Sequence, residues 1–240
     1  MRRFFIDKKN INRDKFHITD EKTCKHMRNV LRLKAGDKVV LFDGEGNEYL
    51  GSLLRVQSNY VRGEIAEMKK PVQSNKPYLI LAQSLPRAGK IDDIVRMNTE
   101  AGVSEFILFE SEYSVAKLES YGQNKMQRLE RLVTEASRQS ERSMIPVVNT
   151  PQSFAEMLAY EADIKLLLHS KAGTDAVTIA DIKAGLKPEQ KVLFAIGPEG
   201  GFSPKEIELA IDSGFKTVHL DLPILRTETA GIAVSAILLY

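Results

Sequence analysis

A glycine-rich turn stands between a strand-like run and a helix start in the last quarter of the chain. The apolar run Lys191–Ile196 leads directly into Gly197-Pro198-Glu199-Gly200-Gly201, and Ser203-Pro204-Lys205-Glu206 then predicts a capped helix. Glycine lets the backbone approach a ligand closely, and open α/β sheets bind ligands at the carboxyl ends of their strands. We therefore predict a ligand site here, against the alternative of an ordinary tight turn. Its members would be Gly197, Glu199, Gly200 and Gly201.

The turn lacks the signatures of nucleotide phosphate binding. No Gly-Lys-Ser/Thr follows it, and its glycines do not form Gly-x-Gly-x-x-Gly. A nucleotide-dependent transferase that uses the turn for phosphate is accordingly disfavoured.

A polar cluster precedes the apolar end of the chain. Leu225-Arg226-Thr227-Glu228-Thr229 leads into 231–240, which is almost wholly apolar and predicts a buried helix or a dimer-interface helix. Polar groups that enter such a helix are costly unless they are satisfied. The cluster should bind something, with thorough helix capping as the alternative.

Strand and helix patterns alternate from residue 78 onward, which predicts a mainly parallel α/β sheet with buried strands. Helices are predicted around 91–101, over Lys125–Ser137 and from the Ser153 capping box. The predicted strands are Tyr78–Ala82, Ser104–Phe109, Val147–Val148, Ile164–Leu168, Val192–Ile196 and Thr217–Leu220.

Residues 1–70 predict a small, mostly β domain with one helix over 19–33. A proline-containing linker over 71–77 separates it from a second domain over 78–240. The predicted strands of the first domain are Arg3–Ile6, Lys38–Phe42, Glu48–Val56 and Tyr60–Met68.

Charge is distributed unevenly between these two parts. Residues 1–70 hold 16 Lys/Arg and 10 Asp/Glu, a balance of +6, whereas the remainder holds 18 and 22, a balance of −4. The basic first part predicts contact with a polyanion such as nucleic acid, with a solvated surface as the alternative.

Composition points to a globular chain in a reducing compartment. No run approaches the roughly 18 apolar residues of a membrane span, and the basic start lacks a long apolar run, so a secretory signal is not expected. Cys24 is the one cysteine and lies in an apolar helical pattern. We expect this cysteine in the core. A single cysteine cannot form an internal disulfide and fits a cytoplasmic protein. We predict no metal site.

Two motifs together resemble one known family. Gly197-Pro198-Glu199-Gly200-Gly201-Phe202-Ser203 and Leu225-Arg226-Thr227-Glu228-Thr229-Ala230 are similar to those of the bacterial 16S ribosomal RNA (uridine-N3) methyltransferases, of the SPOUT class. Weaker matches extend over most of the chain. The chain departs from the family pattern at Asp221-Leu222-Pro223, where a Gly-Pro-Arg is usual, and also at Met97 and Arg138.

The resemblance implies the fold, cofactor and partners. The expected fold is an amino-terminal PUA-like RNA-binding β-barrel followed by a SPOUT α/β domain with a carboxy-terminal trefoil knot. S-adenosylmethionine would lie in the knot of an obligate homodimer that methylates one uridine of 16S ribosomal RNA in the small subunit. The implied cofactor-binding residues are Leu168, His169, Gly197, Glu199, Gly200, Gly201, Leu220, Leu225, Thr227 and Thr229.

Methyl transfer to uridine N3 requires loss of the N3 proton, and a nearby cation would stabilise the resulting anion. Arg226 is our leading candidate, with closure of the helix entry as its alternative role. Glu228 would lie near the sulfonium or cap the helix. No histidine is an obvious base.

RNA contact is predicted for basic residues of the first domain. A helix over 19–33 would place Lys25, Arg28 and Arg32 on one side, where they would contact phosphates. The full predicted set is Arg2, Arg3, Lys25, His26, Arg28 and Arg32. The alternative function is a non-catalytic RNA-binding or ribosome-assembly factor that retains a degenerate methyltransferase fold.

Overall fold

The computed structural model describes residues 1–71, 75–87, 89–169 and 177–240. By its internal contacts the chain divides into two units. The first comprises Met1–Gln73 and Ser137–Ile145, and the second comprises Ser74–Ala136 and Pro146–Tyr240. Residues 137–145, which we placed in the second domain from sequence, thus group with the first unit. Of the predicted linker over 71–77, residues 72–74 lie outside the described part of the chain.

The first unit is built on one mainly antiparallel sheet. Its strands are β1 (Arg2–Phe5), β2 (Ile11–Asn12), β3 (Lys15–Ile18), β4 (Lys38–Phe42), β5 (Glu48–Val56) and β6 (Val61–Lys69). They are ordered β1-β4-β5-β6-β3-β2, and only β1 and β4 pair in parallel. Two register shifts in the β5–β6 pair mark bulges, which bend and twist a strand.

Close packing in this sheet depends on glycine at one point. A Cβ added at Gly63 would lie 2.3 Å from the Phe16 ring and 2.4 Å from the Ser52 carbonyl oxygen. Phe16 therefore packs directly on the β6 backbone, within a core that includes Phe4, Leu41 and Val61.

The helix of the first unit is shorter than predicted. The Asp20 side chain accepts a hydrogen bond from the Thr23 N–H and caps α1 (Glu21–Lys25), after which the chain continues as a wider π-helical turn over His26–Val30. Arg32 lies beyond this turn with φ +54°. The prediction that Lys25, Arg28 and Arg32 share one helix face is therefore wrong for Arg32. Cys24 is fully buried in the core, as predicted.

The second unit is a parallel α/β structure, which confirms the predicted fold class. Its sheet has the order β10-β8-β7-β13-β11-β14-β12, with β9 paired to β8, and every strand pairing in it is parallel. The strands are β7 (Tyr78–Ser84), β8 (Glu105–Glu110), β9 (Val147–Val148), β10 (Gln152–Ser153), β11 (Ile164–Leu168), β12 (Val177–Thr178), β13 (Lys191–Ile196) and β14 (Lys216–His219).

Helices connect these strands. They are α2 (Lys90–Ala101), α3 (Gln123–Gln139), α4 (Phe154–Leu158), α5 (Ile179–Ala184), α6 (Pro204–Asp212) and α7 (Thr227–Leu239). Helix α2 ends at Gly102, whose φ of 112° suits glycine alone. Capping boxes begin α4 and α6, as predicted, and a third begins α5.

Helix α7 packs closely against α2. A Cβ added at Gly231 would lie 2.8 Å from Asn98 Oδ1, and the Ser235 hydroxyl donates to that same oxygen at 3.3 Å. Because Asn98 is fully buried, this polar contact fixes the register of the two helices. The beginnings of both helices are thereby held next to the carboxyl edge of the sheet.

Candidate functional site

The candidate site lies at the carboxyl edge of the second sheet, where four neighbouring strands end. Because β7, β13, β11 and β14 are adjacent and parallel, the residues that follow them meet at one edge. Gln83 and Ser84 close β7, Gly197 follows β13, and Leu168 closes β11. The structure thus brings together strand-end residues that lie far apart in the sequence.

The glycine turn is firmly connected at its base. Gly197 and Pro198 are buried, and the Gly201 N–H donates to the Pro198 carbonyl at 2.9 Å. A Cβ at Gly197 would lie 3.2 Å from both the Gly201 backbone and the Phe202 ring. This turn is therefore compact, and its first glycine is required for the close approach.

The outer part of the turn is open. Gly201 has φ +74°, and a Cβ added there would meet nothing within 4 Å. At Gly200 an added Cβ would lie 3.2 Å from Tyr113, which follows β8. The exposed backbone of Gly200 and Gly201 leaves room for a ligand to lie against it.

A buried hydrogen-bond chain joins the turn to the start of α7. The Gln83 amide donates to Thr227 Oγ1 at 2.9 Å, and the Thr227 hydroxyl donates to the Gly197 carbonyl at 2.9 Å. All three residues are buried. These hydrogen bonds run from β7, through the first residue of α7, to the residue after β13. They fix the two predicted motifs relative to each other.

Two buried polar atoms beside this chain have no hydrogen-bond partner among the described residues. They are Gln83 Oε1 and Ser84 Oγ, both in fully buried residues at the end of β7. Unsatisfied buried acceptors and donors are rare in native proteins. Both side chains are enclosed by protein, so a ligand at this edge would reach these atoms only after a local rearrangement.

One ammonium group bridges two carboxylates at the site. Lys90 Nζ, on the first residue of α2, lies 2.9 Å from Glu199 Oε1 and 3.3 Å from Glu228 Oε2. The hydrogen bond to Glu199 raises the pKa of Lys90. Burial is the largest single effect on Glu199 and opposes its ionisation, but the hydrogen bond with Lys90, backbone hydrogen bonds and the charge of Lys90 together outweigh it and lower the pKa of Glu199. The shifts in the pKa of Lys90 and in that of Glu199 both favour the charged forms of this pair.

Arg226 occupies the N-cap position of α7 without a side-chain cap. Its side chain is 83% exposed, and Nη1 lies 4.0 Å from Glu228 Oε1. Glu228 therefore lies between two cations, Lys90 and Arg226, at the positive end of the α7 dipole. The alternative considered from sequence was that the polar cluster caps the helix. The N-cap residue of α7 makes no side-chain capping hydrogen bond.

The remaining predicted cofactor residues lie around the same edge. The His169 N–H donates to the Val218 carbonyl at 3.0 Å, and Leu220 follows β14 at once. Leu225 is half-buried, and Thr229 is exposed in the first turn of α7. The structure places all of them at the carboxyl edge or at the start of α7.

The predicted RNA-binding residues of the first unit have different surroundings. Arg3 is largely enclosed: it forms a 2.9 Å ion pair with Glu48, and its guanidinium lies 5.4 Å from the centroid of the Phe42 ring. Lys25 pairs with Glu21 at 2.6 Å. Lys25 is nevertheless exposed, and so are Arg2, His26, Arg28 and Arg32.

Sequence reasoning missed Gln83 and Lys90. Gln83 interrupts an otherwise apolar strand run, and Lys90 puts a cation at a helix start, where the dipole disfavours it. Both anomalies were visible in the sequence. Their partners lie more than 100 residues away, so their roles emerge only from the fold.

Two negative findings apply to the described residues. They contain no group of three or more His, Cys, Asp and Glu side chains that is suited to hold a metal ion. None of the helices in this part of the chain is both long and apolar enough to span a membrane.

Models of two known domains match this chain. Residues 73–239 match the model of an RNA methyltransferase domain, and residues 18–66 match that of an RNA methyltransferase PUA domain. The second match confirms the predicted PUA-like character of the first unit.

Curated relatives bear the name ribosomal RNA small subunit methyltransferase E. The one from Bacillus subtilis is 31% identical over 247 residues, covering 99% of this chain and 96% of that protein. The one from Synechocystis is 36% identical over 211 residues, covering 85% of this chain and 66% of that protein.

A solved structure has the same architecture along almost its whole length. It is the Neisseria gonorrhoeae ribosomal RNA small subunit methyltransferase E bound to S-adenosyl methionine, with a TM-score of 0.85 and 27% identity. The match covers 98% of this chain and 95% of that structure.

Proposed function

This chain belongs to the RNA methyltransferase family, and from that premise we propose that it methylates N3 of one uridine in 16S ribosomal RNA. S-adenosylmethionine is the cofactor, as in the bound Neisseria relative. The relatives are named as methyltransferases of small-subunit ribosomal RNA, which in bacteria is 16S RNA. The N3 position rests on the resemblance of the two carboxy-terminal motifs.

The residues at the carboxyl edge fit this cofactor. Gly200 is exposed, and a Cβ added at Gly201 would meet nothing within 4 Å, so the outer part of the turn leaves open backbone for the cofactor. When bound, the cofactor supplies an electrophilic methyl group on a positively charged sulfur. The binding set we propose is Leu168, His169, Gly197, Glu199, Gly200, Gly201, Leu220, Leu225, Thr227 and Thr229.

The observation that carries the reaction type is the gathering of cations at the start of α7. Arg226 and Lys90 flank Glu228 there, and the helix dipole adds positive potential. A uridine that has lost its N3 proton carries negative charge on O2 and O4. Fixed positive groups stabilise such charge without reorganisation.

We assign Arg226 the direct contact with the uridine carbonyls, since its side chain is 83% exposed and free to reach a substrate. Glu228 holds Arg226 and Lys90 near the reacting centre and faces the sulfonium. Lys90 stays protonated because its pKa is raised, so it acts as a cation and not as a base. Orientation of the two reactants supplies much of the acceleration.

The experiment combines reconstitution with mapping in cells. Purified protein, S-adenosylmethionine and either deproteinised 16S RNA or small subunits are incubated, and methylated uridine is mapped by mass spectrometry. We expect one 3-methyluridine in 16S RNA, and its absence from cells that lack the protein. An unchanged spectrum in those cells would overturn the assignment. Calorimetric binding of S-adenosylmethionine separates this function from a non-catalytic assembly factor.

We further propose the organisation that the resemblance implies. The first domain, 1–70, would bind RNA; the second, 78–240, would follow a trefoil-knotted path and form a homodimer in the cytoplasm. Ile224 and Tyr240, which are 82% and 78% exposed, support an interface beside α7. Light scattering at several protein concentrations tests the dimer, and a monomeric mass would contradict it.

A further inference from the structure

Three neighbouring strands of the first unit carry basic side chains at directly paired positions. His17 of β3 is paired with Arg62 of β6, and Arg62 is paired with Arg55 of β5. All three are exposed, whereas the adjacent Ile18 and Val61 are buried. Side chains at paired positions project to the same face, so this row lies on the outer face of the sheet.

An aromatic ring lies between the two arginines. The guanidinium carbons of Arg55 and Arg62 lie 5.6 and 5.4 Å from the centroid of the Tyr60 ring, within cation–π distance. The Gln57 amide oxygen, in its satisfied orientation, accepts from Arg55 Nη2 and Nε at 2.9 and 3.1 Å. Both guanidiniums are therefore held in place without being neutralised.

Neither arginine has a carboxylate within 4.0 Å among the residues that the structure describes. Glu64 lies two positions along the same face, opposite Lys15 of β3. Arg3 in the same unit shows the contrast, because it is enclosed and paired with Glu48. Like charges directly opposite in a sheet oppose folding, so this row works against stability unless an anion binds it.

We propose that this cross-strand arginine surface, defined by Lys15, His17, Arg55, Tyr60 and Arg62, is a contact surface for the RNA substrate. The proposal rests on the proposed function. It places RNA contacts on β3, β5 and β6, whereas most of the RNA-binding residues predicted from sequence lie in or next to the helical segment. Guanidinium forks match phosphate oxygens, and the Tyr60 ring holds both forks in place. Residues 18–66, which contain Arg55, Tyr60 and Arg62, match an RNA methyltransferase PUA domain, so RNA is the occupant favoured here.

The test measures binding of a fluorescein-labelled 16S ribosomal RNA fragment by anisotropy over a series of salt concentrations. The variant is Arg55→Gln/Arg62→Gln, and Lys69→Gln/Lys70→Gln at the far end of β6 is the matched control for net charge. We expect the arginine variant to raise the Kd roughly tenfold and to lower the salt slope by about 1.5 to 2, as for two lost phosphate contacts. The control variant should change the Kd and the salt slope much less.

Stability separates a binding role from a structural one. The mutual repulsion of the paired arginines opposes their contacts with Tyr60 and Gln57, so their replacement should leave the melting temperature nearly unchanged. A lower melting temperature with unchanged RNA affinity would show a structural role and overturn the proposal.

Two single variants sharpen the assignment. Glu64→Gln removes the carboxylate two positions from Arg62 and should strengthen RNA binding about two- to threefold, the opposite direction. Tyr60→Leu should weaken binding severalfold while leaving the salt slope nearly unchanged, because both arginine charges remain and lose only the ring that positions them.

The binding measurement needs no methylation, so the two proposals fail separately. Wild-type protein that binds RNA but leaves 16S RNA unmethylated would overturn the proposed function alone. If the arginine variant and its control bind RNA equally well, the surface proposal is wrong, and an acidic protein becomes the partner to test.

Discussion

The two segments of the proposed cofactor site differ in how firmly the second unit holds them. The turn Gly197–Gly201 is buried at its base and receives a hydrogen bond from Thr227. The approach to α7 is exposed: Leu222, Ile224 and the Arg226 side chain are 51%, 82% and 83% exposed. The first segment is preorganised, whereas the Arg226 side chain of the second is free to contact a substrate.

This difference indicates that the two segments have separate roles in binding and in catalysis, which we call a division of labour. A preorganised backbone lowers the entropic cost of binding, so cofactor affinity should depend on the turn. Turnover should depend on the exposed cation beside it. Variants that separate affinity from turnover test this division directly.

The largest effect is expected at the exposed segment. Arg226→Gln should lower kcat about 100-fold, the usual loss when one electrostatic stabiliser of a developing anion is removed. Affinity for S-adenosylmethionine and the melting temperature should stay close to wild type, because the side chain is mostly solvated. Steady-state kinetics and calorimetry measure the two, with Arg131→Gln on α3 as the control arginine. A tenfold loss of cofactor affinity would contradict the division.

The buried link between the segments comes next. Thr227→Val keeps the side-chain shape but leaves the Gly197 carbonyl without its donor, and the Gln83 amide keeps only the Ser84 carbonyl as an acceptor. Such a loss costs about 1–3 kcal/mol of unfolding free energy. Thr227→Ser, which retains the hydroxyl, is the control and should recover most of that loss in denaturant titrations. Equal stability of the valine and serine variants would show that the hydrogen bonds contribute little.

Backbone strain in the turn is a separate test of preorganisation. Gly201→Val forces a β-branched residue to φ +74°, at about 1–2 kcal/mol. Gly214→Val imposes the same strain at φ +83° just after α6, also with nothing within 4 Å of the added Cβ. Both should lose similar stability in urea titrations. Only the Gly201 variant should raise the Kd for S-adenosylmethionine, roughly tenfold. Equal Kd values for the two variants would show that the turn does not contact the cofactor.

The smallest effect is expected at the Lys90 bridge. These groups are partly solvated, so Lys90→Met should cost less than about 1 kcal/mol. The pKa of Glu199 is lowered, so its contribution is present above the ordinary glutamate pKa of 4.5 and is lost as the pH falls through the folded pKa. The pKa of Lys90 is raised, so its contribution is present below the ordinary lysine pKa of 10.5 and is lost as the pH rises through the folded pKa.

The stability difference between wild type and Lys90→Met should therefore be constant between about pH 5 and 10 and vanish in acid. Arg96→Met, which breaks exposed ion pairs elsewhere on α2, is the control for α2 itself. A difference that persists at pH 2 would show that packing, and not charge, is responsible.

Local features of the second unit were predictable because they depend on neighbouring residues. Ser203 and Glu206 form their reciprocal cap, and α2 ends at Gly102. Short elements were missed: β2 and β12 have two residues each, too few for a periodic pattern. The helix over 19–33 was overextended, since its apolar spacing does not distinguish an α-helix from the π turn at His26–Val30.

The sequence by itself determined the local chemistry of this protein. The glycine turn, its capped helix and the polar start of α7 follow from residue types within a few positions of one another. Only the tertiary structure decided which distant groups complete the site. β7 lies next to β13 although about 110 residues separate them, and that adjacency brings Gln83 to Thr227 and Gly197. The same adjacency, with α2 packed on α7, brings Lys90 between Glu199 and Glu228. Strand order and helix packing are set by burial of the whole core, which no short stretch of sequence encodes.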